Sequence, residues 1–200
     1  MRNIHAAQIR ALLLVLLALP LAGCGYNTIP TLREQANAAW AQVQNQYQRR
    51  ADLVPNLVET VRGYAKQERE TLEAVVNARA KATQAQVQLP QGGAPTDPEA
   101  LRRYQEAQAQ LGQALSRLLA VTEAYPDLKS NQNFLALQSQ LEGTENRISV
   151  ARRDYIEAVR QYNTAVNTFP GLLWARVQGA QPIANFTAAE GSERAPQVKF

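Results

Sequence analysis

The chain has 200 residues, with 21 Lys or Arg against 17 Asp or Glu, ten Gly, ten Pro, and one each of His, Cys and Met. Ala and Gln are abundant and aromatics make up 6%, a helical composition of single-domain size. The near-even charge balance does not provide the concentrated basic surface that nucleic acid requires, so no nucleic-acid partner is expected.

The N-terminus reads as an export signal. Arg2, His5 and Arg10 precede an apolar run over residues 11–19, followed by Pro20. The run is shorter than the roughly 20 residues of an unaided membrane span, and such a segment is set apart from the fold. It leads into Leu21-Ala22-Gly23-Cys24, which resembles the lipobox of bacterial lipoproteins. In such proteins cleavage falls between the residues here at Gly23 and Cys24, and the cysteine thiol is acylated. Cys24 has no disulfide partner within its own chain. A plain secretory signal and a short uncleaved anchor are the alternatives. Gly25, rather than Asp, after the cysteine favours the outer over the inner membrane in a two-membrane cell.

Loss of residues 1–23 leaves 19 basic residues against 17 acidic ones and removes the only histidine. No imidazole then remains for acid–base work, no free thiol for nucleophilic attack, and no soft metal ligand. No nucleophile elbow, phosphate-binding glycine loop or Glu-x-x-His pair occurs. No cofactor and no metal centre are expected.

A tether over 24–30 precedes the first helix, which the Thr31-x-x-Glu34 capping box starts. Its apolar face is Leu32, Ala36, Trp40, Val43 and Tyr47. The helix weakens at Arg49-Arg50-Ala51-Asp52, and Pro55 either breaks or kinks it. A second helix follows over about 54–87, with Leu57, Val61, Tyr64, Leu72 and Val75 inward; Gly63 within it marks a close contact or a bend. Residues 88–97, containing Gly92-Gly93, form a linker. Asp97 and Pro98 then start a third helix carrying Leu101, Tyr104, Leu111, Leu115 and Leu118, which Pro126 interrupts.

The fourth helix, over 130–168, has the clearest pattern. Phe134, Leu141, Ile148, Tyr155, Tyr162 and Phe169 recur every seventh residue, accompanied by Leu137, Thr144, Ala151, Ala158 and Ala165. The predicted fold is all-α: an elongated antiparallel bundle of about four helices with a coiled-coil-like seam, over residues 31–170. A C-terminal extension over 171–200 ends in a loose tail from about residue 188.

Several polar residues exceed what a plain amphipathic helix needs. Arg49, Arg50, Asp52, Asn56 and Glu59 surround Pro55, and Glu142, Glu145, Asn146, Arg147, Arg152 and Arg153 lie on the fourth helix. They form either a solvated face with a few ion pairs or a partly buried network joining the first helix to the fourth. In the network, Arg49 or Arg50 pairs with Glu145, and Asp52 pairs with an arginine of the second group.

These segments carry a family resemblance. Tyr26-Asn27, Trp40, the run Arg49-Arg50-Ala51-Asp52-Leu53-Val54-Pro55-Asn56-Leu57-Val58, Gly63-Tyr64-Ala65, Glu68 and Ala78-Arg79 resemble the first half of the LemA family. Ala124-Tyr125-Pro126-Asp127-Leu128-Lys129, Asn133-Phe134, Thr144-Glu145-Asn146-Arg147-Ile148, Ala151-Arg152-Arg153, Tyr162-Asn163 and Phe169-Pro170 resemble the second. The similarity spans residues 26 to about 186. It implies an N-terminally membrane-anchored antiparallel helical domain of bacteria with no established enzymatic activity. It also implies an envelope protein partner, a TPM-domain membrane protein by family analogy. Typical members carry a longer uncleaved anchor, which the lipobox replaces here, and the insertion around Gly92-Gly93 looks like a tolerated surface loop.

Three functions are open at this point. The leading one is a lipid-anchored, non-enzymatic scaffold or adaptor for another envelope protein, attached to the membrane through its N-terminal lipid and facing the periplasm. The second is a structural lipoprotein contacting the cell wall. The third, disfavoured by the missing histidines, is a carboxylate enzyme with a hard metal held by Asp52, Glu142 and Glu145.

Overall fold

The computed structural model describes residues 26–89 and 92–187, so the expected cleavage and lipidation site at Gly23 and Cys24 lies outside the described residues. Six helices make up the fold, with no strand among the described residues: α1 (Thr28–Tyr64), α2 (Arg69–Val87), α3 (Pro98–Thr122), α4 (Pro126–Lys129), α5 (Gln132–Asn167) and α6 (Gly171–Gln178). The four long ones form the expected antiparallel bundle. At 1.5 Å per residue α1 alone runs about 55 Å.

Each long helix forms because one stripe of its sequence is apolar. On α1 that stripe starts at Ile29, which is buried, and continues through Ala36, Trp40, Val43 and Tyr47. Burying Ile29 extends the helix upstream of the Thr31 box, so Asn27 takes the N-cap position and residues 28–30 belong to the bundle rather than the tether. Asp97 does cap α3, its Oδ1 accepting the Glu99 amide at 2.9 Å with Pro98 in the first turn. Asn131 caps α5 in the same way, through the Phe134 amide at 3.1 Å.

The chain does not break at Pro55. α1 runs through it because Val54, Leu57, Val58 and Val61 continue the buried stripe. Proline has no amide hydrogen, which leaves the carbonyl of Ala51, four residues back, without its helical donor. Arg79 on α2 supplies one: its Nε donates to the Ala51 carbonyl at 2.8 Å. The turn between α1 and α2 falls at 65–68 instead, and Gly63, in the last turn of α1, has open space around it, so it is not a close helix contact. Arg79→Met keeps the aliphatic stem but strands that carbonyl, and is expected to cost about 1–3 kcal/mol. In a Pro55→Ala background the new amide bonds Ala51, and the same substitution is expected to cost under about 0.5 kcal/mol. Equal shifts of the denaturation midpoint in both backgrounds would refute the substitution of one donor for the other.

Two tightly packed antiparallel pairs, α1 with α5 and α2 with α3, are joined along α1 and α2. The α1–α5 register is read from contacts running in opposite directions: Trp40 on Tyr155, Arg50 on Glu145, and Tyr64 accepting from Asn131. On α5, Phe134, Leu141, Ile148, Tyr155 and Tyr162 of the seven-residue seam are all buried. Phe169 is not; it is 80% exposed, because α5 ends at Asn167 and the chain turns before it.

The bundle does not end at residue 170. α6 stops at Gly179, whose left-handed φ of 64° suits glycine and ends the helix with an Ala180 amide to Ala175 carbonyl bond of 2.9 Å. Residues 180–187 then run as an extended strap along α5. Asn163 holds Ile183 at both backbone groups, at 2.8 and 2.9 Å, and the hydroxyls of Tyr155 and Tyr162 donate to the carbonyls of Ala184 and Gln181. Ile183, Ala184 and Phe186 are buried as a result. The linker is also more than a surface loop: Leu89 and Pro95 are buried, Ala94 donates to Asn37 Oδ1, and the Pro95 carbonyl accepts from Ala184.

Candidate functional site

The apolar interior is divided into two cores. One holds Trp40, Tyr47, Tyr104, Ile148, Tyr155 and the strap; the other holds Val54, Leu57, Leu111, Leu118, Phe134 and Leu141. Between them lies a polar level built by three helices. α1 contributes Arg50, only 3% exposed, α3 contributes Gln108, and α5 contributes Thr144 and Glu145. Arg50 is the only buried charged residue among those described.

Its guanidinium is held from three directions. Nη1 donates to Glu145 Oε1 at 2.9 Å, while Nη2 donates to the Gln108 carbonyl at 2.9 Å and to Gln108 Oε1 at 2.7 Å. The ring of Tyr47 lies 5.0 Å from its Cζ. Glu145 keeps 47% of its side chain exposed, so the pair combines a desolvated cation with a solvated anion. Thr144 turns its hydroxyl back to the Gln140 carbonyl at 2.7 Å. Gln46 Oε1, Arg50 Nε and the Tyr104 hydroxyl are buried without partners.

Of the residues singled out from the sequence, the structure brings Arg50 and Glu145 together. Arg49 is exposed, as are Asn56 and Asn146. Asp52 does not meet an arginine of the second group: two residues past Arg50 it lies on the far side of α1, accepting from Gln48 at 2.7 Å. Arg152 instead stacks over the ring of Phe186 at 4.5 Å. Asp52, Glu142 and Glu145 do not converge on a metal position, because Glu142 bonds Gln138 and Glu145 bonds Arg50.

Gln108 was missed in the sequence, although a signal existed. The α3 stripe runs Leu101, Tyr104, Leu111, Leu115, Leu118, and the step from 104 to 111 skips the one inward position that is polar. Arg79 and Phe186 matter equally, and nothing local announces either.

Above the polar level, Trp40 packs with Tyr104, Tyr155 and Phe186 at ring separations of 5.2–6.2 Å, and Tyr47 meets Tyr104 edge-on at 5.5 Å. Burial raises the hydroxyl pKa of Tyr47, Tyr104 and Tyr155 above the ordinary value of 10, opposed at Tyr47 by Arg152 and Arg50. A raised folded-state pKa means the stabilisation is complete below about pH 10, the unfolded value, and is lost as pH rises toward the folded ones. Tyr104→Phe removes a buried, unpartnered hydroxyl. It is expected to be neutral or stabilising at pH 7 and to lessen the loss above pH 10, as urea midpoints at both pH values would report. A cost above about 1 kcal/mol at pH 7 would mean that the hydroxyl is bonded.

α3 and α5 stand apart beside this level and leave a groove of about 520 Å³ lined by Leu115, Leu119, Leu141, Glu142, Glu145 and Asn146.

Fold and polar level together define an all-helical domain with an arginine-centred joint between two cores. Residues 39–200 match the model of the LemA family, and the chain belongs to that family. It is similar to the magnetosome proteins MamQ 1 and MamQ 2 of Paramagnetospirillum magneticum, 26% identical to each over 189 residues, covering 88% of this chain and 70% of each relative. The magnetosome protein MamQ of Magnetospirillum gryphiswaldense is 26% identical over 174 residues, 80% of this chain and 64% of that protein.

Proposed function

We propose that this protein is a membrane-associated, non-enzymatic helical adaptor of the bacterial envelope, anchored by acylation of Cys24, that receives a segment of another envelope protein in the groove between α3 and α5. One observation carries this reading: the buried guanidinium bonds within the bundle through both terminal nitrogens, and the buried threonine hydroxyls bond there too. Of the buried polar side-chain atoms among the described residues, only Gln46 Oε1, Arg50 Nε and the Tyr104 hydroxyl lack partners. Arg50 is held by Gln108 and Glu145, Thr122 by the Leu119 carbonyl and Thr144 by the Gln140 carbonyl. The interior is organised for architecture, which leaves helix surfaces to do the work. Leu119, half-buried over a floor of buried Leu115 and Leu141, fits the apolar face of an amphipathic helix, and Glu142 and Glu145 on the rim fit basic residues beside that face. A TPM-domain membrane protein is one partner that family analogy offers.

The test places a photocrosslinking residue at Ser116 or Asn146, in the groove, and at Thr83, on the exposed face of α2. In intact cells the groove positions are expected to capture one membrane protein that Thr83 does not. Cys24→Ser is expected to abolish acyl labelling and leave residues 1–23 attached. Identical adducts at all three positions would refute the groove, and a wild-type protein without acyl label would refute the lipid anchor.

A further inference from the structure

One end of the bundle carries an apolar surface of its own. Phe169 is 80% exposed, Val177 74%, Leu173 53% and Tyr26 50%, and these four belong to α6 and the two chain segments beside it. The six other exposed large apolar residues among those described are distributed over α1, α2 and α5. Leu173 and Val177, four residues apart, share the outward face of α6, while Ala175 is buried and Trp174 packs partly into the core. Tyr26 joins this surface through an edge-on contact with Trp174 at 5.6 Å and through its carbonyl, which accepts from Gln178 at 2.9 Å.

The only charge on α6 is the exposed Arg176, and Arg33 is exposed on α1, whereas the acidic residues of this end, Glu34 on α1 and Asp97 at the start of α3, lie off α6. Only Gly25 separates Tyr26 from Cys24. Any lipid carried by Cys24 would therefore join the protein next to this surface.

From this we infer that α6, with Phe169, Leu173, Val177 and Tyr26, lies in the headgroup region of an anionic lipid bilayer, and that this second contact holds the bundle at a fixed orientation on the membrane. The inference rests on the membrane anchoring proposed above. An amphipathic helix with apolar residues on one face and cationic ones beside it settles about 5–10 Å into the interface. The opposite end, at Tyr64 and α4, then stands away from the bilayer by the length of α1, and the α3–α5 groove is held between the two.

Two tryptophans make the test direct, since Trp40 is buried in the core and Trp174 is only partly buried, on α6 beside Tyr26. The full-length protein, purified from membranes, is reconstituted into vesicles of phosphatidylethanolamine and phosphatidylglycerol with brominated or unbrominated acyl chains. Brominated chains are expected to quench the emission, Trp174→Phe to abolish the quenching, and Phe169→Ser/Leu173→Ser/Val177→Ser to reduce it by about twofold or more while leaving the protein vesicle-bound. Acylation of the same sample is read by mass spectrometry. Acylated, vesicle-bound protein without quenching would overturn the inference and leave the anchor standing. Quenching in protein that carries no acyl chain would sustain the inference and overturn the lipid anchor, and failure to bind vesicles would overturn both.

Discussion

Replacing Arg50 with Ala is expected to destabilise the fold by about 2–5 kcal/mol, through the cavity it leaves and the buried Gln108 it strands, since Glu145 stays solvated. Three bonds to Gln108 and Glu145 disappear, and a cavity opens where the two cores meet. Glu145→Ala should cost less, about 1–3 kcal/mol, because Glu145 is half solvated and Arg50 keeps both bonds to Gln108. A double-mutant cycle on Arg50 and Glu145 is therefore expected to show coupling above about 1 kcal/mol, with the cycle on exposed Arg49 and Glu145 near zero. Coupling below about 0.5 kcal/mol in the first cycle would reduce the pair to an ordinary surface contact. Chemical denaturation of the four variants measures it. Because the pair adds little net stability over an apolar replacement, its use is to fix the register of α1 against α3 and α5.

Phe186→Ala is expected to cost about 3–5 kcal/mol, as for a buried aromatic elsewhere. Phe186 is 8% exposed, packs on Trp40 and Tyr155 at 6.2 and 5.3 Å, and lies under the Arg152 guanidinium. Thr187→Ala, one residue further along and exposed, should change stability by less than about 0.5 kcal/mol, since the contact made there is the backbone carbonyl accepting from Gln105. Equal midpoints for the two variants would mean that the strap is detached in solution. The functional corollary is that the strap ties the linker at Pro95 to α5, so its loss should loosen the end of the bundle that carries α6.

The sequence by itself determined the parts of this protein that depend on local repetition. The α5 seam was legible because Phe134, Leu141, Ile148, Tyr155 and Tyr162 repeat at seven, and a helix has no other way to bury residues so spaced. The start of α3 was legible because Asp97 and Pro98 act within one turn of themselves. Membership of the LemA family was legible in blocks that straddle the polar level, and the Arg50–Glu145 pair lies within two of them. Tertiary structure decided the rest. Pro55 is a helix breaker by local rules, and α1 continues because its buried stripe runs on past Pro55 and Arg79, on another helix and 28 residues beyond Ala51, donates to the Ala51 carbonyl. The strap has no periodicity, since its backbone is bonded to the side chains of Asn163, Tyr155 and Tyr162 rather than to itself. Asp52 and Arg152 were matched by charge, yet charge says nothing of rotation about a helix axis, and they found Gln48 and Phe186 instead. Residues whose partners lie within a turn or two could be read in advance, whereas those whose partners arrive from a distant segment could be read only after the helices had packed.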